Sequence, residues 1–478
     1  MRRSGLEWHH ILAPLLLVAC QGGPAGPLPG ATPAESGPLP GELSMRWEEG
    51  TPEAVRHAVR ARAGVRTADP VFENVEHWTL PGDTGPVLEA LSREPHVRWS
   101  EPVRRRRIAG FTPEAAPDGT RQWYLAKARG LDVQAAWSLP LEQCRHGQKP
   151  GAGVVVAVVD TGVDISHPDL VARIARVPAD LASRSASVRE HSTSKGAGNP
   201  WVIDEIGPES TFGGISYTGV DGNGHGTHCA GLVGASDDGQ GIVGVAPGVT
   251  ILPVKTMRYD GSGDDVPIAR GLVDAADAGA DVINFSVGGP EPSQILADAL
   301  AHAYRKGVTV VIAAGNGFGD EVYYPAAYAG VISVGATSGA SGNPWAIPAY
   351  SNRGQTLALV APGGDGAQDR RTTADPTLEA RGLLSTLPTR TVGLGGKPLS
   401  YGVESGTSMA TPLVSGVAAL VIAEAKARGE SHDPVTVRTR LLATARPLGD
   451  RPFDPAWGYG FIRPALALSW TGPDGGQP

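Results

Sequence analysis

Cysteine is scarce in this chain of 478 residues, with three in all, at positions 20, 144 and 229. Past Cys20 this leaves at most one disulfide, Cys144 with Cys229, whose geometry sequence cannot show; a buried free thiol at Cys229, packing as a small hydrophobe, is the favoured reading. No second histidine context marks a catalytic cysteine. Positive charge is also short: 41 Lys and Arg against 49 Asp and Glu leave a formal charge of -8. That balance argues against a general nucleic-acid surface. The apolar run Ile11 to Ala19 is too short to span a bilayer as a helix. What is plentiful is glycine (65) and proline (41), which predict many turns, and apolar side chains, whose 41% share suffices for a substantial core. The length suggests two folded units.

The first 19 residues read as a signal peptide, because Arg2 and Arg3 precede the apolar run. Its end, Leu17-Val18-Ala19-Cys20, resembles a bacterial lipobox. The resemblance implies cleavage before Cys20 and lipidation of that cysteine. An ordinary signal peptide with a chance cysteine is the plainer alternative.

Residues 20–41 form a Pro/Gly-rich linker without apolar periodicity. From 42 to 107 the pattern is that of a small α+β unit. Leu43, Met45 and Trp47 alternate as in a strand, and Thr51-Pro52-Glu53 opens a helix with Ala54, Val55, Ala58 and Val59 on one face. A strand over 72–80, a helix over 84–93 and a strand over 97–103 follow. Arg104 to Arg107 are open to two readings, a solvated linker or a processing site.

Residues 118–470 read as α/β, with 471–478 as a tail. Val154 to Val159, Val282 to Phe285, Val308 to Ile312 and Val331 to Val334 are β-branched runs without alternation, as buried parallel strands require. Helical stretches at 225–234, 267–278, 293–306 and 408–425 lie between or after them. The alternation predicts a doubly wound, mostly parallel sheet with helices on both faces. Ligands then belong at the carboxyl ends of the strands, where Asp160 and Asn316 fall. Polar insertions at about 177–218 and 364–382 read as loops.

Three motifs carry the chemistry. Val-Val-Asp160-Thr-Gly closes a buried strand, Gly-Asn-Gly-His225-Gly-Thr-His-Cys-Ala-Gly opens a helix of small residues, and Ser-Gly-Thr-Ser408-Met-Ala-Thr-Pro opens another. A neutral imidazole at His225 can accept a serine proton, with Asp160 fixing its tautomer. Ser408 gains backbone donors and a favourable dipole from its helix start, with Pro412 read in the first turn. Asn316, after the strand ending at Ile312, is the natural second donor to an oxyanion. His228 reads as structural. The Asp-Thr-Gly triplet also raises an aspartic-protease reading, but the second triplet, Asp83-Thr84-Gly85, lies in a turn with no strand leading into it.

Together these motifs resemble those of subtilisin-like serine proteases, and the resemblance spans nearly everything from residue 42 onward. It implies nucleophile Ser408, general base His225, orienting Asp160 and oxyanion donor Asn316, acting on polypeptides without a redox or organic cofactor. The unit at 42–107, above all its ending Leu88 to Pro102, resembles the family's inhibitor-type pro-domain. That implies a ferredoxin-like fold and a role as intramolecular chaperone and inhibitor of a zymogen. Gly261-Ser262-Gly263 and Ser286-Val287-Gly288-Gly289 match the segments that pair with substrate. Ala313, Gly315 and Tyr323 are assigned to substrate binding too, Tyr323 near the base of the primary pocket. Asp265 matches a position lining the pocket for the fourth residue before the scissile bond, with a solvent-exposed surface Asp as the plainer reading. Asp169 and Asp238 match a structural calcium site, with carbonyls of Ser236, Gln240 and Ile242 assisting and a further ligand near Gln122. The implied protein is an exported serine endopeptidase, secreted or a cell-envelope lipoprotein precursor tethered through Cys20. The alternative from another class is a non-catalytic lipoprotein that binds peptides in the same cleft.

Overall fold

The computed structural model describes residues 38–108, 114–115, 122–127, 130–145, 147–175, 203–204, 211–212, 215–216, 221–339, 343–366, 381–392 and 398–472. The signal segment, Cys20 and most of both insertions lie outside them. The first unit runs β1 (Pro38–Trp47), α1 (Glu53–Ala63), β2 (Thr67–Phe72), β3 (Val75–Thr79), α2 (Gly85–Leu91) and β4 (Val97–Ile108). Its strands form an antiparallel sheet in the order β4-β1-β3-β2, the βαββαβ arrangement of a ferredoxin-like fold. The period of two in β1 sends Leu43, Met45 and Trp47 into the core with Val59, Trp78, Leu80 and Leu91. Glu76 accepts the indole N–H of both Trp47 (2.8 Å) and Trp78 (2.7 Å), so neither buried ring leaves a polar group unpaired.

Several boundaries differ from the expectations. The strand expected over 72–80 is the second half of a hairpin, because Asn74 takes the left-handed conformation (φ 59°) and turns the chain between β2 and β3. Ala54 and Ala58 are exposed; Val55 and Val59 form the inner face of α1. Residues 38–41 belong to β1, not to the linker. The basic run is no solvated linker: it lies within β4, and Arg106 is buried. The strand therefore passes the boundary at 107, and the reason is tertiary, since its end pairs with the second unit.

That unit is built on β5 (Val155–Asp160), α3 (His225–Gly234), β6 (Thr250–Lys255), β7 (Ser262–Asp264), α4 (Asp265–Asp277), β8 (Val282–Phe285), β9 (Val287–Gly288), α5 (Gln294–Arg305), β10 (Thr309–Ala313), β11 (Ile332–Thr337), β12 (Leu359–Pro362), the hairpin β13 (Leu383–Val392) and β14 (Pro398–Glu404), and α6 (Thr407–Arg428). The central sheet is parallel throughout, in the order β12-β11-β10-β8-β5-β6, with Ile203–Asp204 beyond β6. Alternate residues of β5 face opposite layers. Val156 and Val158 pack with α3 and α6, while Ala157 and Val159 pack with α4 and α5. This is the expected doubly wound sheet. The chain reverses direction across the sheet between β5 and β8, where their carboxyl ends open a crevice. Helix α6 is apolar and long enough to cross a membrane, but its apolar stretch from Thr407 to Ala425 is buried and serves as the core helix.

Candidate active site

Asp160 ends β5, and its carboxylate meets the ring of His225 at the start of α3. Nδ1 of His225 lies 2.8 Å and 2.9 Å from the two oxygens, with both side chains buried. The preceding turn is pinned, not loose: Asp221 accepts from Asn223 N, Gly224 N, Thr227 N and the hydroxyls of Thr161 and Thr227. Gly226 lets the helix approach, since a Cβ there would drive into the Gly162 carbonyl and stand 3.1 Å from Asp160 Cβ. Burial disfavours a charged His225, but the Asp160 carboxylate, with Glu404 and Asp221 behind it, outweighs this and raises its pKa above the ordinary 6.5. With Nδ1 engaged, Nε2 is left buried and, among the described residues, without a hydrogen-bond partner.

Ser408 is the second residue of α6 and is buried beside α3, where Cys229 Sγ sits 3.5 Å from its carbonyl oxygen. Its Oγ donates to the Ser286 carbonyl (3.0 Å), not to His225. In turn Ser286 Oγ donates to the Ser408 carbonyl (3.0 Å). Asn316 sits across from the same helix start. Its Oδ1 accepts from Thr407 N (3.0 Å) and Thr407 Oγ1 (2.8 Å), which fixes the amide and leaves Nδ2 buried without an acceptor among the described residues. Thr407 and Asp221 are positioning residues that the motif reading missed; an acceptor count for Asn316 would have called for a donor like Thr407.

The glycine-bearing segments become two strand edges with one strand between them. Residues 105–107 of β4 run antiparallel to β7 (Gly263 opposite Arg106), and Arg107–Ile108 run antiparallel to β9 (Val287 opposite Ile108). Thus Ser262, Gly263, Val287 and Gly288 pair with this chain's own β4. Gly261 N donates to Arg258 O in the turn before β7, and Gly289 exchanges backbone bonds with Tyr324. Half-buried Tyr323 lays its ring against Gly315 and Gly317, and its N–H donates to Ala314 O next to Ala313. Asp265 is wholly buried, against the reading of it as a surface group.

The remaining candidates are structural in their contacts. Asp169 is buried, with Oδ2 accepting from Ile242 N and Oδ1 from Tyr401 Oη, both at 2.9 Å. Asp238 is exposed and accepts from Gln240 N within its own turn. The Gln122 amide is spent on both backbone groups of Val243. Buried His228 donates to the carbonyls of Leu383 and Gly402 and is kept neutral by burial, its pKa lowered to about 3. Among the described residues Cys144 and Cys229 are both free, and burial near Asp160 pushes the Cys229 thiol far above its usual pKa, so it stays protonated.

A parallel α/β sheet with an Asp–His pair at one strand end and a serine at a facing helix start defines a serine peptidase. The chain belongs to the subtilase family, whose family model matches residues 151–460. It is 34% identical over 304 residues to subtilisin DY of Bacillus licheniformis, covering 63% of this chain and 86% of that one. It is 35% identical over 299 residues to subtilisin Savinase of Lederbergia lenta, with the same two coverages. Among solved structures it is similar to fervidolysin from Fervidobacterium pennivorans, a keratinolytic enzyme related to subtilisin (TM-score 0.67, 25% identity, 91% of this chain). This chain spans 62% of that protein's length.

Proposed function

We propose that the protein is an exported serine endopeptidase made as a precursor whose N-terminal unit fills its own substrate groove. The observation that carries this reading is the pairing of β4 with both β7 and β9, the antiparallel three-strand contact an extended peptide substrate would make. In the reaction, Ser408 Oγ turns from the Ser286 carbonyl to Nε2 of His225, gives up its proton there and bonds to the scissile carbonyl carbon. Asp160 stabilises the imidazolium. Asn316 Nδ2 donates to the oxyanion, aided by the amides at the start of α6. His225 then passes the proton to the departing amine as the C–N bond breaks, and water repeats the sequence to free the acid.

The N-terminal unit is read as chaperone and inhibitor. Besides β4, Glu101 accepts from Gln294 N (2.9 Å) and Ile295 N (2.8 Å) at the start of α5, and Arg46 and Trp99 both donate to Asp298. The cut that separates the units is placed beyond Ile108, because the basic run before it is held in the groove. Removal of the unit would also remove Cys20, so a lipid-tethered precursor would release a soluble enzyme; this part rests on the lipobox resemblance alone. Tyr323, lying on Gly315, favours small side chains in the primary pocket. A calcium at Asp169 and Asp238 fits poorly, since both Asp169 oxygens already accept hydrogen bonds and calcium takes six to eight oxygen ligands.

Labelling with an organophosphonate tests the reading. Processed, folded protein should be modified at Ser408 and lose peptidase activity; a folded, processed protein that stays unlabelled would overturn it.

A further inference from the structure

Beyond the bond-cleaving centre, the groove contains a built acceptor for one side chain. Arg106 enters it from β4 opposite Gly263, and its side chain is 2% exposed. Nε lies 2.6 Å from Asp265 Oδ1 and Nη2 3.3 Å from Oδ2, while Nη1 donates to the Glu291 carbonyl at 2.9 Å. Three different nitrogens thus have acceptors on two walls. The carboxylate belongs to the first residue of α4, where it is also favoured by the helix dipole. Gly289 forms the floor: a Cβ there would stand 2.9 Å from Nη1. Space, charge and acceptor directions all match a planar guanidinium, and a lysine ammonium would satisfy at most part of them.

We propose that Asp265 makes the enzyme selective for arginine at the substrate position that Arg106 occupies, the fourth before the scissile bond by the family resemblance. The inference rests on the protease reading and deepens it. In the precursor Arg106 satisfies Asp265; once the N-terminal unit departs, that carboxylate is left facing the groove without its partner. Substrates that bring an arginine restore the pair, whereas an apolar side chain leaves the carboxylate desolvated without a partner. Neighbouring Asp264 adds little, because Arg105 is 3.5 Å away and over a third exposed.

The test uses processed enzyme and a set of peptides that differ only at that position, carrying arginine, lysine, citrulline or norleucine. Arginine should exceed norleucine and citrulline in kcat/KM by about 30-fold or more, the usual effect of leaving one partner of a buried ion pair alone. Lysine should fall between. In Asp265→Asn the arginine advantage should shrink to about threefold or less. Enzyme that is fully labelled by the organophosphonate yet cleaves all four peptides equally overturns this inference alone, with no variant required. Enzyme that is not labelled overturns the protease reading and the inference with it.

Discussion

Pro412 stands four residues after Ser408 in helix α6, so the N–H that would ordinarily donate to the Ser408 carbonyl does not exist. The proline is thus in the second turn, not the first as its sequence context suggests. The vacancy in the helical ladder is filled from outside: Ser286 Oγ at 3.0 Å and Cys229 Sγ at 3.5 Å approach the same oxygen. A break in the helix therefore clamps the serine-bearing turn to the end of β8 and to α3.

Ser286→Ala removes the stronger of those donors and leaves the Ser408 carbonyl with a weak thiol partner. A net hydrogen bond of about 1 kcal/mol predicts a fall in kcat of roughly fivefold, through a looser nucleophile turn. Steady-state kinetics on a short peptide checks it, and parental kcat would show that the turn is held without Ser286.

Asn316→Ala should lower kcat by about 10²–10³ with little change in KM, the loss known for removing such a donor in subtilisin. Thr407→Val, which removes only the hydroxyl that orients Asn316 Oδ1, should give a smaller loss in the same direction. If Thr407→Val left kcat unchanged, its backbone N–H alone would suffice to orient the amide.

The pH profile follows from His225. Its pKa is raised by Asp160, Glu404 and Asp221 against the effect of burial, and only the neutral imidazole can accept the serine proton. Activity should therefore rise with pH through a value above 6.5 and be lost as pH falls below it. Glu404→Gln removes one of the raising charges and should move the acid limb of kcat/KM to lower pH. An unmoved limb would exclude Glu404 as a contributor.

Chelation should leave stability unchanged. Asp169 is held by Ile242 N and Tyr401 Oη, so EDTA is expected not to shift Tm, whereas Tyr401→Phe should lower it. A clear drop in Tm with EDTA, reversed by calcium, would mean that a cation displaces the tyrosine.

Much of the α/β unit was legible because buried parallel strands announce themselves by β-branched runs: Val282–Phe285 has the expected bounds and His225–Gly234 is a helix end to end. The hairpin at 383–404 escaped notice, since its residues carry polar side chains that the fold buries with partners, as Ser385 Oγ does by donating to His228 O. In the first unit, one residue in a left-handed conformation, Asn74, split a stretch that read as a single strand.

By itself the sequence determined the chemistry and the class of fold. Asp160, His225 and Ser408 each sit in a motif that states both the reacting group and the strand end or helix start beneath it, and those are local properties of the chain. The tertiary structure decided what local patterns cannot encode. Arg104 to Arg107 in isolation left a solvated linker and a processing site both open; whether such a run is exposed depends on what lies 159 residues away, where Asp265 meets Arg106. The same is true of Asn316, whose free Nδ2 exists because Thr407 occupies its oxygen. Burial and partner choice are set by distant segments meeting, and only the folded chain brings them together.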